Sequence, residues 1–287
     1  MSIADGAQSL PDAAADEAEK PVWPRRLLPH RTVEVVLPAV ILGVALLLWE
    51  AAVRLNDIPP YLLPAPSLVA ATLVKDWGTL SGSLLVTLRI TLEAQALATA
   101  GSLALAILFA QSKWIVRSFF PFAVVMQVTP IVSIAPLLLI YLDSGTAVLV
   151  CAFLVAFFPI LSNTTLGLAS ADHGLLELMQ LYRASRWQQL LYLRLPGALP
   201  YFLGGLRIGG GLALIGAIVA EIAAGSAGKG SGLAFRIVES GYRLNIPRMF
   251  AALALISLTG ILIYVAFTLL THVLLRRWHD SARQRGA

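Results

Sequence analysis

Polar side chains inside long apolar runs are the residues of this chain best placed to do chemistry. Gln127, Thr129 and Ser133 lie in the apolar stretch 118–141, together with Pro130 and Pro136. A proline has no backbone N–H to donate and clashes with the carbonyl four residues earlier, so each one frees backbone acceptors. Neutral amides, hydroxyls and freed carbonyls at this depth are tolerated against protein or a water-filled cavity. Lining a route across the membrane is one reading, and hydrogen bonding between helices is the other. Arg89 and Glu93 are four residues apart and can pair on one helix face. Arg207 and Glu221 stand about 21 Å apart along a helix at 1.5 Å per residue, too far to pair. Arg207 then snorkels towards a headgroup layer, and Glu221, beside a glycine-rich turn, is a candidate for the mouth of a route.

Other suggestive patterns fail on spacing. GSAGKGSG at 225–232 lacks the glycine that four residues should separate from its Gly-Lys pair and the hydroxyl after it; Ala223 and Gly230 stand there. GGLRIGGG at 204–211 opens an apolar helix with no strand before it, so Gly205, Gly209 and Gly216 read as close-approach points for another helix. The histidines at 30, 173, 272 and 279 have no metal-ligand spacing, and the lone Cys151 has no partner for a disulfide. Nothing here points to an enzyme.

The elements that must position these groups are membrane helices. Of 287 residues, 58% are hydrophobic and 13% charged, against about 45–50% and 25% in soluble domains. A span needs about 20 apolar residues, which places helices near 33–53, 84–111, 118–141, 146–167, 199–222 and 249–275. Residues 1–30 read as a disordered cytoplasmic tail and 31–280 as one transmembrane domain. Segment 54–83 is too rich in proline and polar residues to cross, and its PAPS starts a short interfacial helix. The net charge of +5 comes from Arg and Lys at the edges of apolar runs, not from a nucleic-acid-binding patch.

Basic residues also set the orientation. Arg25, Arg26, Arg31, then Lys113, Arg117, then Arg183, Arg186, Arg194, and finally Arg276, Arg277, Arg283, Arg285 fall on one side if the N-terminus is cytoplasmic. Loop 223–248 disagrees, placing Lys229, Arg236, Arg243 and Arg248 outside against Glu239.

The longest polar connection, 168–198, holds ADHGLLELMQLYRAS, in which Asp172 can cap a short helix with an apolar ridge of Leu175, Leu176, Met179 and Tyr182. Gln189 is expected to face water. Pro196 and Pro200 re-aim the chain into the next span. Residues 177–200, ELMQLYRASRWQQLLYLRLPGALP, resemble the cytoplasmic loop of permease subunits of bacterial binding-protein-dependent ABC importers. That loop reads Glu-Ala-Ala, three residues, Gly, nine residues, Ile, any residue, Leu-Pro. Glu177, Leu195 and Pro196 match, and Ala184-Ser185-Arg186 resembles its continuation. Leu178 and Met179 replace the alanines, Arg183 the glycine and Leu193 the isoleucine. LLPAPS at 62–67, TPIVSIAPLLLIYL at 129–142, FFPILSNTTLGL at 157–168 and the segment 199–221 resemble the nitrate, sulfonate and taurine branch, which includes importers of pyrimidine-type vitamin precursors.

This resemblance implies an all-α integral membrane fold of about six transmembrane helices, with a cytoplasmic coupling-helix loop between the fourth and fifth spans. It implies a permease in a bacterial plasma membrane, paired with a second copy, two cytoplasmic ATP-binding subunits and an external solute-binding protein. Such a chain carries no cofactor, since ATP is bound by the partner. Contact with that partner would fall to Glu177, Leu178, Met179, Tyr182, Arg183, Ala184, Ser185, Arg186, Leu195 and Pro196. Gln127, Thr129, Ser133 and Glu221 are the pathway candidates from the residues themselves. An ion-gradient-driven secondary transporter is the alternative, but its inverted repeats and mid-membrane charges are not evident.

The arginine clusters predict that both termini are cytoplasmic. Reporter fusions at residues 10 and 285 should be active with a cytoplasmic reporter; activity of a periplasm-dependent reporter at both sites would overturn the topology.

Overall fold

The computed structural model describes residues 30–225 and 230–276. The tail 1–29, Lys229 and the basic residues from Arg277 onward lie outside the described residues, as do the expectations attached to them. The helices are α1 (His30–Leu55), α2 (Pro66–Lys75), α3 (Trp77–Gln111), α4 (Lys113–Val128), α5 (Ile131–Tyr141), α6 (Ser144–Ala169), α7 (His173–Leu181), α8 (Arg186–Gln189), α9 (Leu195–Ala224), α10 (Leu233–Tyr242) and α11 (Ile246–Leu275). A π-helical turn, Leu190–Arg194, joins α8 to α9. Among the described residues no strand occurs. The chain divides into two units, one ending at Leu48 and the other beginning at Trp49. In the first, Val36, Leu37, Val40, Ile41, Leu42 and Leu47 are all exposed, a surface suited to lipid.

Five helical stretches are long and apolar enough to cross a membrane: Val36–Leu55, Trp77–Gln111, Ser144–Ala169, Arg186–Ala224 and Ile246–Leu275. A sixth would be the pair Trp114–Val128 and Ile131–Tyr141, bent by 97°. Within the expected span 118–141 the break falls at Pro130, one of the two prolines expected to interrupt helical bonding. Pro130 removes a donor and forces Thr129 into an extended conformation, φ −71° and ψ 123°, which ends α4. Pro136 stays inside α5 without breaking it. The second span starts at Trp77 rather than 84, because Ser83, Thr87 and Thr91 turn inward and find buried surroundings there. The PAPS segment does open a short helix, with Pro66 in its first turn.

The second unit is organised on the contact between α6 and α9. A Cβ on Gly216 would come within 2.9 Å of Ala152 Cα, and one on Gly205 within 3.2 Å of Ile160 Cα. These glycines let the two backbones approach, as small residues do where lipid supplies no hydrophobic drive for association. Around them lie Ala156, Ile160, Leu161, Leu203, Leu206 and Ala213, all buried. The buried face of α3 is marked by small or polar residues, including Ala94, Gln95, Ala98 and Ser102, while Leu85, Leu92, Leu97 and Leu108 face outward. Gln95 donates from Nε2 to the Leu206 carbonyl at 3.1 Å and so ties α3 to α9.

The basic residues of 230–248 are paired. Glu239 accepts from Arg236 at 2.7 Å and lies 3.0 Å from Arg243, and Arg248 reaches Asp76 at 2.6 Å. The Arg236 hydrogen bond holds the Glu239 carboxyl below its usual range, and Arg248 does the same for Asp76.

Two glycines give a contrasting test. Gly216→Leu should lower the thermal stability of the detergent-purified protein by about 1–3 kcal/mol through overpacking. Gly82→Ala, on an exposed helical surface with open space around it, should raise it by up to about 1 kcal/mol. Equal melting temperatures for the two variants would discard the close α6–α9 contact.

Candidate functional site: the 172–196 loop and the broken span

The loop between α6 and α9 is built from nested helix caps. Asp172 accepts from the Leu175 amide at 2.9 Å and starts α7. At the other end Arg183 has φ 58°, its amide donates to the Gln180 carbonyl at 2.9 Å, and Ala184 donates to Met179 at 2.8 Å. This is the Schellman closure, which places a left-handed residue where glycine is favoured. Arg183 thus adopts the tight reversal expected of the glycine it replaces, at a local cost of about 1–2 kcal/mol. Ser185 and Gln188 then form a reciprocal capping box that starts α8, a signal legible in the sequence that the reading above did not use.

The loop is also fixed to the spans. Arg186 Nη1 donates to the Gln111 carbonyl at 3.3 Å and Arg194 Nη1 to Ala110 at 3.5 Å, so both satisfy the exposed C-terminal end of α3. They border a cavity of about 660 Å³ between the loop and the ends of α3 and α6. Gln189 lines this cavity, half-buried, and donates to the Ala184 carbonyl at 3.1 Å, which corrects the expectation that it faces water. Pro196 sits in the first turn of α9, and the missing N–H and ring bulk are absorbed by the π turn just before it, where Leu195 donates to Leu190. Chain direction is carried through as nearly continuous helix from Arg186 to Ala224 rather than re-aimed by Pro196 and Pro200. Leu195 packs against the core.

On α7 the apolar residues divide in a way that periodicity alone left open. Leu176 and Met179 are half-buried against their own chain. Leu175 and Leu178, each 47% exposed, and Tyr182, 78% exposed, form the free ridge. Glu177 is exposed, with Oε1 3.3 Å from His173 Nε2.

The break between α4 and α5 borders a second cavity, of about 340 Å³, reached by Met126, Gln127, Thr129, Val155, Phe158 and Leu212. Thr129 donates its hydroxyl to the Val125 carbonyl at 2.6 Å. Gln127 is exposed, and among the described residues its amide has no hydrogen-bond partner. Backbone bonding restarts with Ser133 and Ile134 donating to Pro130, so among the described residues the first amides of α5, at Ile131 and Val132, have no backbone partner.

The remaining candidates lie elsewhere. Ser133 is exposed on α5 and does not line this cavity. Glu221 is only 5% exposed: it accepts from the Thr87 hydroxyl at 2.7 Å and the Ala234 amide at 3.0 Å, while Thr87 accepts from Leu233 at 2.9 Å. A Cβ at Gly232 would land on this carboxylate. Glu221 therefore holds the N-terminus of α10, where a carboxylate complements the free amides, and is not at an open mouth. Arg89 does pair with Glu93 at 2.7 Å on an exposed face. The Arg207 guanidinium lies 5.5 Å from the centre of the Tyr264 ring.

The chain is similar to known membrane transport proteins. The model of the family described as binding-protein-dependent transport system inner membrane component matches residues 102–280. A riboflavin transport system permease protein of Chloroflexus aurantiacus is 35% identical over 85% of this chain and 92% of its own length. A formylaminopyrimidine transport permease of Halalkalibacterium halodurans is 31% identical over 85% and 97%. A putative aliphatic sulfonates transport permease of Bacillus subtilis is 29% identical over 98% and 99%. The crystal structure of an amino acid ABC transporter with histidines shares the fold, with a TM-score of 0.57, 19% identity and coverage of 72% of this chain and 97% of that one. A multi-pass helical chain with these matches belongs to the family of inner-membrane components of binding-protein-dependent transport systems, and it is an ABC transporter permease subunit.

Proposed function

We propose that this permease imports a small solute, and that α7 couples it to a cytoplasmic ATP-binding subunit. The carrying observation is the exposed ridge Leu175, Leu178 and Tyr182 on a helix whose two ends are capped and whose flanking segment is bonded to α3. A short rigid helix with an unpartnered apolar ridge suits insertion into a groove of another protein. Two copies would frame the route, two ATP-binding subunits would dock below, and an external binding protein would deliver the solute. The chain itself would hold no cofactor.

In the mechanism, closure of the ATP-binding subunits draws the two α7 helices together. The nearly unbroken helix from Arg186 to Ala224 carries that motion to Leu212 at the cavity by the broken span. Coupling of this kind needs an element with two arrangements that both sites bias. The π turn at 190–194 and the bend at Thr129–Pro130 are where helical bonding is irregular enough to supply it. Cytoplasmic termini rest on the Arg and Lys clusters around residues 25–31, 113–117 and 183–194, which outnumber the basic residues of the opposing loop.

Leu178→Asp should abolish co-purification of the ATP-binding subunit, because an unpaired charge buried in a docking groove costs several kcal/mol. Gln180→Asp, off the ridge, should leave it intact. If α7 rests on lipid instead, Leu178→Asp will reduce membrane yield while the subunit still co-purifies. The reversal after α7 offers a separate check: Arg183→Gly should preserve coupling and relieve about 1–2 kcal/mol of strain, whereas Arg183→Val should weaken it. ATP hydrolysis that responds equally to both changes would mean that this turn does not position α7.

A further inference from the structure

The cavity at the broken span has walls of one chemical kind. Met126, Leu154, Val155, Phe158 and Leu212 are apolar, and among the described residues no Lys, Arg, His, Asp or Glu lines it. Its polar groups are neutral: the free amide of Gln127, the hydroxyl of Thr129, and the backbone exposed by the break. An ion entering such a space exchanges hydration for dipoles with no countercharge, a cost of several kcal/mol at membrane depth.

The same walls suit a different solute. Phe158 and Met126 offer a ring face and a polarizable sulfur to a flat ring. Gln127 presents both a donor and an acceptor, and the amide of Ile131 adds a donor without charge. The volume of about 340 Å³ falls within the range of about 300–1,000 Å³ that encloses vitamin-sized ligands. A triatomic or tetratomic anion would leave most of it empty.

We propose that the cavity at the broken span admits a neutral, planar heterocyclic solute with hydrogen-bonding edges and excludes small anions. This rests on the permease reading proposed above and on the broken span lining its route. Selection at this point acts in addition to whatever an external binding protein selects.

The test uses the full chain in complex with its ATP-binding subunit, in nanodiscs, with Cys151→Ala removing the one native thiol. Gln127→Cys and Thr129→Cys each place a thiol at the cavity. Their rates of modification are measured with a neutral methanethiosulfonate and with its sulfonate-bearing analogue, each relative to a free thiol in solution, in nucleotide-free and vanadate-trapped states. The sulfonate reagent should be slower by at least about tenfold, the factor that 1.4 kcal/mol represents. Riboflavin, as a neutral planar probe, should protect the introduced thiols, and nitrate at equal concentration should not. Equal relative rates for the two reagents, or protection by nitrate and not by riboflavin, would overturn the proposal. If neither thiol reacts with any reagent in either state, the route itself is misassigned, and the proposal falls with it for that separate reason.

Discussion

Hydrocarbon offers no hydrogen-bond partner to a peptide group, and each unsatisfied one costs several kcal/mol. That constraint makes every described element a helix and governs how the helices end. Thr87 and Glu221 receive the first amides of α10. Arg186 and Arg194 supply donors to the last carbonyls of α3. Arg183 and Ala184 close α7 onto its own carbonyls, and Leu244 and Asn245 do the same for α10. At the junction of α4 and α5 Pro130 has no donor, and among the described residues the amides of Ile131 and Val132 find no backbone partner.

α9 joins the two parts of the candidate site. It lies against α6 through Gly205, Gly209 and Gly216, takes a hydrogen bond from Gln95 of α3, and borders the broken-span cavity with Leu212. Its N-terminal extension through the π turn reaches the loop that carries α7. Close backbone packing has low compliance, so a displacement of the loop is passed along α9 more readily than absorbed in it. The coupling proposed here therefore asks of the fold only a rigid lever and two irregular joints.

Charge is arranged for the same economy. Glu239 serves two arginines and Asp76 a third, and each carboxyl is held ionised by its partner. Such pairs, partly shielded from water, fasten α10 and α11 to the start of α3.

Much of this was legible in the sequence, for identifiable reasons. Long apolar runs have to be membrane helices; Asp172, the Gly-rich face of 205–216 and the Arg89–Glu93 spacing act over a few residues, and each was found where local chemistry put it. The helix limits were less legible, since polar Ser83 looks like a loop residue until α10 is known to bury it and Arg236 to bond it. Which face of a membrane helix is buried could not be read from hydrophobicity, because lipid and protein interior are equally apolar. Leu176 and Met179 turn inward and Leu175, Leu178 and Tyr182 outward on the same helix for reasons that lie in α7's neighbours. Glu221 looked like a functional charge because its partners are distant in sequence, and Thr87 and Ala234 reach it only through the tertiary fold. The sequence by itself determined the class of protein, the local caps and the break at Pro130; the tertiary structure decided which polar groups are satisfied, since that depends on segments far apart in the chain meeting in space.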